Sequence, residues 1–226
     1  MGSCRIICES SEPFFDRRQA GELLSGELES FGGRDVVVLG IPRGGVVIAE
    51  RIARRLDCAL DVIICRKLGA PGNPELAEGA VSESGRLFLE ERVVSQTNAG
   101  EEYLEAEKNR QMKRIKARVS DYRVVLEKVS LEGKTVIITD DGVATGSTME
   151  AAIWAVRGEG AVQVAVALPV APPESIRKLS KDADTVLCLR APHIFYSISQ
   201  FYLSFSQVSD KEVIDILRRE AKRRLF

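Results

Sequence analysis

Histidine is nearly absent from this chain: His193 is the only one among 226 residues. A metal site built on imidazoles, or a Ser–His catalytic pair, has almost nothing to draw on. Cysteine is scarce and odd in number, at Cys4, Cys8, Cys58, Cys65 and Cys188. Such a set, lying partly in apolar strand-like segments, reads as buried thiols and not as a disulfide framework. Cys4 and Cys8 stand close in sequence, but no second Cys or Cys/His pair completes a zinc set, so no protein metal ligands are assigned. No run approaches the roughly 20 apolar residues of a membrane span, and MGSCRIICES carries too short an apolar run for a secretory signal. A cytoplasmic protein without membrane attachment is expected. Excess charge is also missing, with 32 Lys and Arg against 33 Asp and Glu, so net charge draws the chain to neither nucleic acid nor anionic lipid.

What is present is an ordinary globular composition, 45% apolar and 29% charged, with no internal repeat. Its length suits one domain of good size. Ala20, Leu24, Leu28 and Phe31 fall at helical spacing over 17–31, and Gly32-Gly33 ends that helix. VVVLG (36–40) and LDVIIC (60–65) are continuous apolar runs suited to strands buried on both faces, with a helix over 45–56 between them. The segment 69–79 holds three glycines and two prolines and reads as a mobile loop. A hairpin is expected over 80–95 and an outer helix over 101–122. From Lys134 strands at 135–139, 162–168 and 185–189 alternate with helices at 147–157 and near 173–180. This rhythm predicts an α/β fold, doubly wound around a mainly parallel five-stranded sheet. The tail 211–224 reads as a helix whose basic end suits its own C-terminus, which argues against a nucleic-acid role.

In open α/β sheets ligands lie beyond the carboxyl ends of the strands. The loop after 135–139 is the most informative there. It reads Asp140-Asp141-Gly142-Val143-Ala144-Thr145-Gly146-Ser147-Thr148. Two carboxylates leave a buried strand, and a small-residue turn then enters a helix, offering backbone N–H groups and hydroxyls to an anion. A ligand serving both ends carries a phosphate and hydroxyls, as a sugar phosphate does. The lysine of a Walker loop is missing, and so is a G-x-G-x-x-G fingerprint. The acids read Asp-Asp-Gly, and Asp35 and Asp61 begin their strands, which disfavours a phosphatase or receiver-like pocket.

The run 136–148 resembles the phosphoribosyl-pyrophosphate (PRPP) signature of the type I phosphoribosyltransferases. The resemblance implies that Asp140 and Asp141 hold the ribose 2′- and 3′-hydroxyls, while Ala144 through Thr148 wrap the 5′-phosphate. Gly142 and Val143 bridge the two, with Gly142 standing where relatives more often carry an aliphatic residue. Ala144 is similar to the adenine-type version of the motif. Gly40-Ile41-Pro42-Arg43-Gly44-Gly45 resembles the family's pyrophosphate loop, with Arg43, Gly44 and Gly45 as its ligands and a cis peptide expected at Arg43–Gly44. Arg66-Lys67 resembles the pair that precedes the flexible loop. The wording PRGGV, RKLGAPGNPELA and DDGVATGSTM resembles a broad bacterial group of unassigned members.

The family implies transfer of phosphoribosyl from PRPP to a nitrogenous base or similar nucleophile. Mg2+ would be held mainly through the donor, with Asp140, Asp141, Arg43 and Lys67 as the catalytic set. One domain over 1–226 is expected, with its core at about 34–190 and a flexible region at about 69–95. A hood would come from the N-terminal segment, with Phe14 and Phe15, and from about 190–210. Phe195, Tyr196, Phe201 and Tyr202 are candidates to stack on a base, though a hood lobe needs aromatics for its own core too. Glu75, Glu78 or Glu83 would assist a proton transfer, a solvated carboxylate being the alternative for each. Relatives commonly pair, so a homodimer is expected. A sensor of PRPP or nucleotides on the same fold, without turnover, is the other reading.

Overall fold

A computed structural model describes residues 2–33, 35–97 and 99–225, apart from the side chains of Pro74, Glu75, Glu91 and Arg118. In chain order the elements are β1 (Ser3–Cys8), α1 (Arg17–Gly26), β2 (Val36–Gly40), α2 (Gly44–Leu56), β3 (Ala59–Val62), β4 (Cys65–Ala70), β5 (Asn73–Ser82) and β6 (Leu87–Leu89). They continue with α3 (Glu91–Thr97), α4 (Glu101–Arg123), β7 (Thr135–Thr139), α5 (Ser147–Gly158), β8 (Gln163–Val170), α6 (Pro173–Leu179), β9 (Thr185–Arg190) and α7 (Asp210–Arg223). Six strands form a parallel sheet in the order β1-β9-β8-β7-β2-β3. The expected five become six because β1 adds to the edge beside β9. All six of its residues are exposed, so SCRIIC lacks the continuous apolar signal of the inner strands.

The inner strands are buried on both faces, and alternate residues serve two cores. Val36, Val38, Leu60 and Ile137 pack with Leu24, Ile48, Ile52 and Leu217 of α1, α2 and α7. Val37, Leu39, Val136 and Ile138 pack with Met149, Ile153 and Ile176 of α5 and α6. Fully burying each such side chain contributes about 1.5–3 kcal/mol, which is why the β-branched runs so firmly become central strands. The Asp16 side chain accepts Gln19 N–H at 2.8 Å and starts α1 at Arg17.

The segment read as a loop is instead part of a three-stranded antiparallel sheet, β4-β5-β6. Its pairing is irregular between Leu68 and Ala70, which is how glycine-rich sequence enters a sheet. Phe88 of β6 stacks on Trp154 of α5 at 5.6 Å. This small sheet is fastened from below by Arg123 at the end of α4. The guanidinium bonds Asp61 Oδ1 of β3 at 2.7 Å and Glu83 Oε2 at 3.0 Å, and Asp61 Oδ2 accepts Val129 N–H at 2.9 Å.

The basic tail is spent within the molecule. Arg219 bonds Glu50 on α2, and Arg223 and Arg224 bond Glu220 and the carbonyls of Cys58 and Leu60. Cys58 and Cys188 are buried as expected, but Cys4 and Cys8 are exposed on the edge strand. Among the described residues no helix is long and apolar enough to cross a membrane.

Candidate active site

From β2 the chain passes to β3 on one side, and its other neighbour is β7. Gly40 pairs with Thr139, so the two strands end level and their following loops, 41–44 and 140–146, face each other. This is the switch point at which open α/β sheets bind ligands.

The two glycines that open α2 pack directly against the acids. A Cβ at Gly44 would lie 2.0 Å from Asp141 Oδ2, and one at Gly45 would lie 2.7 Å from Thr139 O and 2.8 Å from Asp140 Cα. The peptide between Pro42 and Arg43 is cis, one bond earlier than the Arg43–Gly44 expectation.

Asp140 Oδ1 accepts the Asp141 amide at 2.8 Å, and Asp141 Oδ2 accepts Arg17 Nε at 2.7 Å. Asp140 also accepts a backbone hydrogen bond from Gly45. Burial raises the Asp140 carboxyl well above the ordinary carboxylate range, and the neighbouring Asp141 adds to it. Burial also raises Asp141, against the pull of Arg17.

The turn that follows the acids ends at Gly146, which caps α5 with a φ of 83°, and Ser147 and Thr148 form the first residues of that helix. Ala144, Thr145 and Thr148 are exposed, Thr145 and Ser147 share a hydroxyl contact of 3.2 Å, and Ser175 Oγ donates to Ala144 O. Val143 N–H donates to Val170 O, tying the loop to β8. Gly142 is explained by the hood: a Cβ there would meet Ile198 Cγ2 at 2.8 Å and Val170 Cγ1 at 3.0 Å. The volume an aliphatic side chain would fill is taken by Ile198.

Two cavities meet at Pro42 and Asp140. The first, about 420 Å³, brings Arg66, Lys67, Asp140, Ser147 and Thr148 around one space, with Cys65 and Ile64 in its wall. The second, about 450 Å³, is lined by Arg17, Arg43, Gly44, Asp141, Phe205 and Gln207. Arg43, expected with Arg66 and Lys67, thus faces the second cavity, where its Nη1 lies 3.4 Å from Asp210 Oδ2.

The N-terminal segment and the stretch after β9 pair through their backbones. Phe14 N–H donates to Phe201 O, and Leu203 and Ser204 N–H donate to the carbonyls of Phe14 and Phe15. The aromatic assignments need correction. Phe201 is fully buried and packs on Phe195 with centroids 4.9 Å apart. Tyr196 is 87% exposed, and none of the three lines either cavity. Tyr202 is buried, and its hydroxyl donates to Asp141 O at 2.6 Å. Phe205 is the aromatic that reaches the cavity, and its ring lies between Tyr202, 5.0 Å away, and the Arg17 guanidinium, 3.8 Å away.

Glu83 is engaged by Arg123, and Glu78 is fully buried beneath Thr97, whose hydroxyl it accepts. Neither lines the two cavities, so both are removed as proton-transfer candidates. The side chain of Glu75 lies outside the described residues. His193 is exposed on the surface near Glu9.

Arg17, Phe205 and Gln207 line the second cavity too, and sequence reading singled out none of them. Arg17 had no distinguishing signal, since Arg18 stands beside it; it is buried and Arg18 is exposed only because of where Asp16 starts the helix.

A model of the phosphoribosyl transferase domain matches residues 16–206. The chain belongs to this family. It is 39% identical over 206 residues to two Mycobacterium tuberculosis proteins provisionally named phosphoribosyl transferases, MT0597 of strain CDC 1551 and Rv0571c of strain H37Rv. The match covers 91% of this chain and 46% of each of them, so the chain spans about half the length of these curated relatives. The crystal structure of TT1426 from Thermus thermophilus superposes with a TM-score of 0.87 at 46% identity, covering 92% of this chain and 98% of that one.

Proposed function

We propose that this domain transfers a 5-phosphoribosyl group from PRPP to a nitrogen nucleophile, releasing pyrophosphate. One observation carries the reading: Asp140, the Ser147-Thr148 start of α5 and the Arg66-Lys67 cations line one cavity at the switch point, and Asp141 lines a second that meets it at Asp140. In this arrangement the turn holds the 5′-phosphate at the N-terminus of α5, and Asp140 and Asp141 accept the ribose hydroxyls.

The C1–O bond to pyrophosphate breaks as a C1–N bond forms, and the proton of the acceptor nitrogen passes to water or to the departing pyrophosphate. Negative charge gathers on the departing pyrophosphate, where Arg66 and Lys67 stabilise it. Arg43, at the mouth of α2 beside Asp210, borders the acceptor side. The second cavity takes the acceptor, between the hood residues Phe205 and Gln207 and the ribose site.

Mg2+ fits this donor set. Two adjacent carboxylates offer hard oxygens with excess negative charge, and magnesium needs few protein ligands because it keeps water and phosphate oxygens. Among the described residues no cluster of three His, Cys, Asp or Glu would hold a metal unaided. Asp140 and Asp141 would hold the ion together with the donor, and when bound it supplies neutralisation of the leaving pyrophosphate.

The test is to incubate the protein with PRPP, Mg2+ and single members of a panel of purines, pyrimidines and small amides, and to follow pyrophosphate. Acceptor-dependent release is expected with at least one member. PRPP binding with no release across the panel would instead support a sensor.

A further inference from the structure

We propose that Arg17 is a positioning residue that carries donor occupancy to the acceptor side of the site, an inference that rests on the donor reading above. Its guanidinium touches both halves. Nε holds Asp141 Oδ2 at 2.7 Å, while Nη1 donates to Ser206 O at 2.8 Å. The same group covers the Phe205 ring at 3.8 Å. The side chain of Arg17 is only 10% exposed and that of Asp141 only 14%. A second strut runs parallel to it, from the Tyr202 hydroxyl to Asp141 O. One acid of the ribose site is therefore linked to hood residues 202–206 from its carboxylate and from its backbone.

The direction of coupling follows from these contacts. Oδ2 of Asp141 is packed against Gly44 and bonded to Arg17, and a carboxylate has lone pairs enough to accept a diol's hydroxyls while keeping that bond. Hydroxyls on the carboxylate fix its orientation, and with it the direction in which Arg17 is held. Arg17 then grips Ser206 and Phe205 more tightly, and the acceptor cavity is shaped only after the donor is seated. A planar fork is required, because lysine can satisfy Asp141 or the carbonyl but cannot span both while lying flat on a ring.

The experiment is amide hydrogen exchange of the full chain with and without saturating PRPP and Mg2+, in wild type, Arg17→Lys and Arg17→Ala. Leu203 and Ser204 report on the hood, since their amides are bonded to the carbonyls of Phe14 and Phe15. In wild type PRPP should slow exchange at 144–148 and also at 202–206, the latter about fivefold or more, the lower end of ordinary site-to-site coupling. Both variants should keep the response at 144–148 and lose it at 202–206. Loss of a merely structural brace would raise hood exchange with and without PRPP alike and leave the donor-dependent change intact. A wild-type response confined to 144–148, or a hood response unchanged in Arg17→Lys, overturns the proposal. No response in either segment of wild type removes the donor reading itself, and the coupling with it.

Discussion

Replacing Asp140 and Asp141 together with Asn lowers PRPP affinity about a hundredfold or more, measured by calorimetry in Mg2+. Each hydroxyl-to-carboxylate bond is charge-assisted and worth about 1.5–3 kcal/mol, so losing two is more than enough for that factor. The single variants separate binding from folding, because the acids have different partners. Asp141→Asn strips the buried Arg17 of its counter-charge, which offsets what it gains by removing a carboxylate whose folded pKa burial raises, so it melts at or below wild type. Asp140→Asn goes the other way. Its folded-state pKa is raised, so ionisation costs the folded protein stability as pH climbs from the unfolded value toward the raised one, and the full penalty is present above it. Asn removes that penalty. Asp140→Asn therefore melts above wild type at neutral pH while binding PRPP more weakly, and the gain vanishes below about pH 4, where the wild-type carboxyl is protonated in both states. Equal melting shifts in the two variants would contradict this division of labour.

The second large effect lies away from the ligands. Arg123→Ala destabilises the domain by about 3–5 kcal/mol in urea denaturation, the range for opening a buried ion pair. Asp61 is 1% exposed and the Glu83 side chain 7%, so both acids lose their main counter-charge without gaining water. Burial already raises the Asp61 carboxyl, with Arg123 the main force holding it down. Arg123→Lys recovers only part of the loss, since one ammonium cannot reproduce the fork that serves β3 and the end of β5 together. A loss below about 1 kcal/mol, the level of an exposed pair, would show that the network is solvated.

How far the sequence could be read follows from where each signal resides. VVVLG, TVIIT and VQVAVAL are strands wherever they are buried, because both faces are apolar and their neighbours need only cover them. The acids and the turn that follows lie within nine consecutive residues, so local order alone places them together. β1 and the β4-β5 pair were illegible for the opposite reason. β1 becomes a strand only through β9, some 180 residues away, and β4 and β5 pair through a register shift that no periodicity displays. The hood shows the same limit at the level of side chains. Phe195, Tyr196, Phe201, Tyr202 and Phe205 are equivalent in composition, and only the Phe14–Tyr202 bridge decides that Phe201 turns into the core while Phe205 faces the cavity. Arg17 acquires its role through a contact 124 residues away in sequence.

The central claim is that one activated pentose spans the acid pair and the turn beyond it. The most direct measurement is a crystal structure of the wild-type protein soaked with PRPP and Mg2+. The 5′-phosphate is expected on the amides of 144–148 and the pyrophosphate toward Arg66 and Lys67. The ribose hydroxyls are expected on the carboxylates of Asp140 and Asp141. PRPP seated elsewhere, or with its hydroxyls turned from both acids, would contradict the claim.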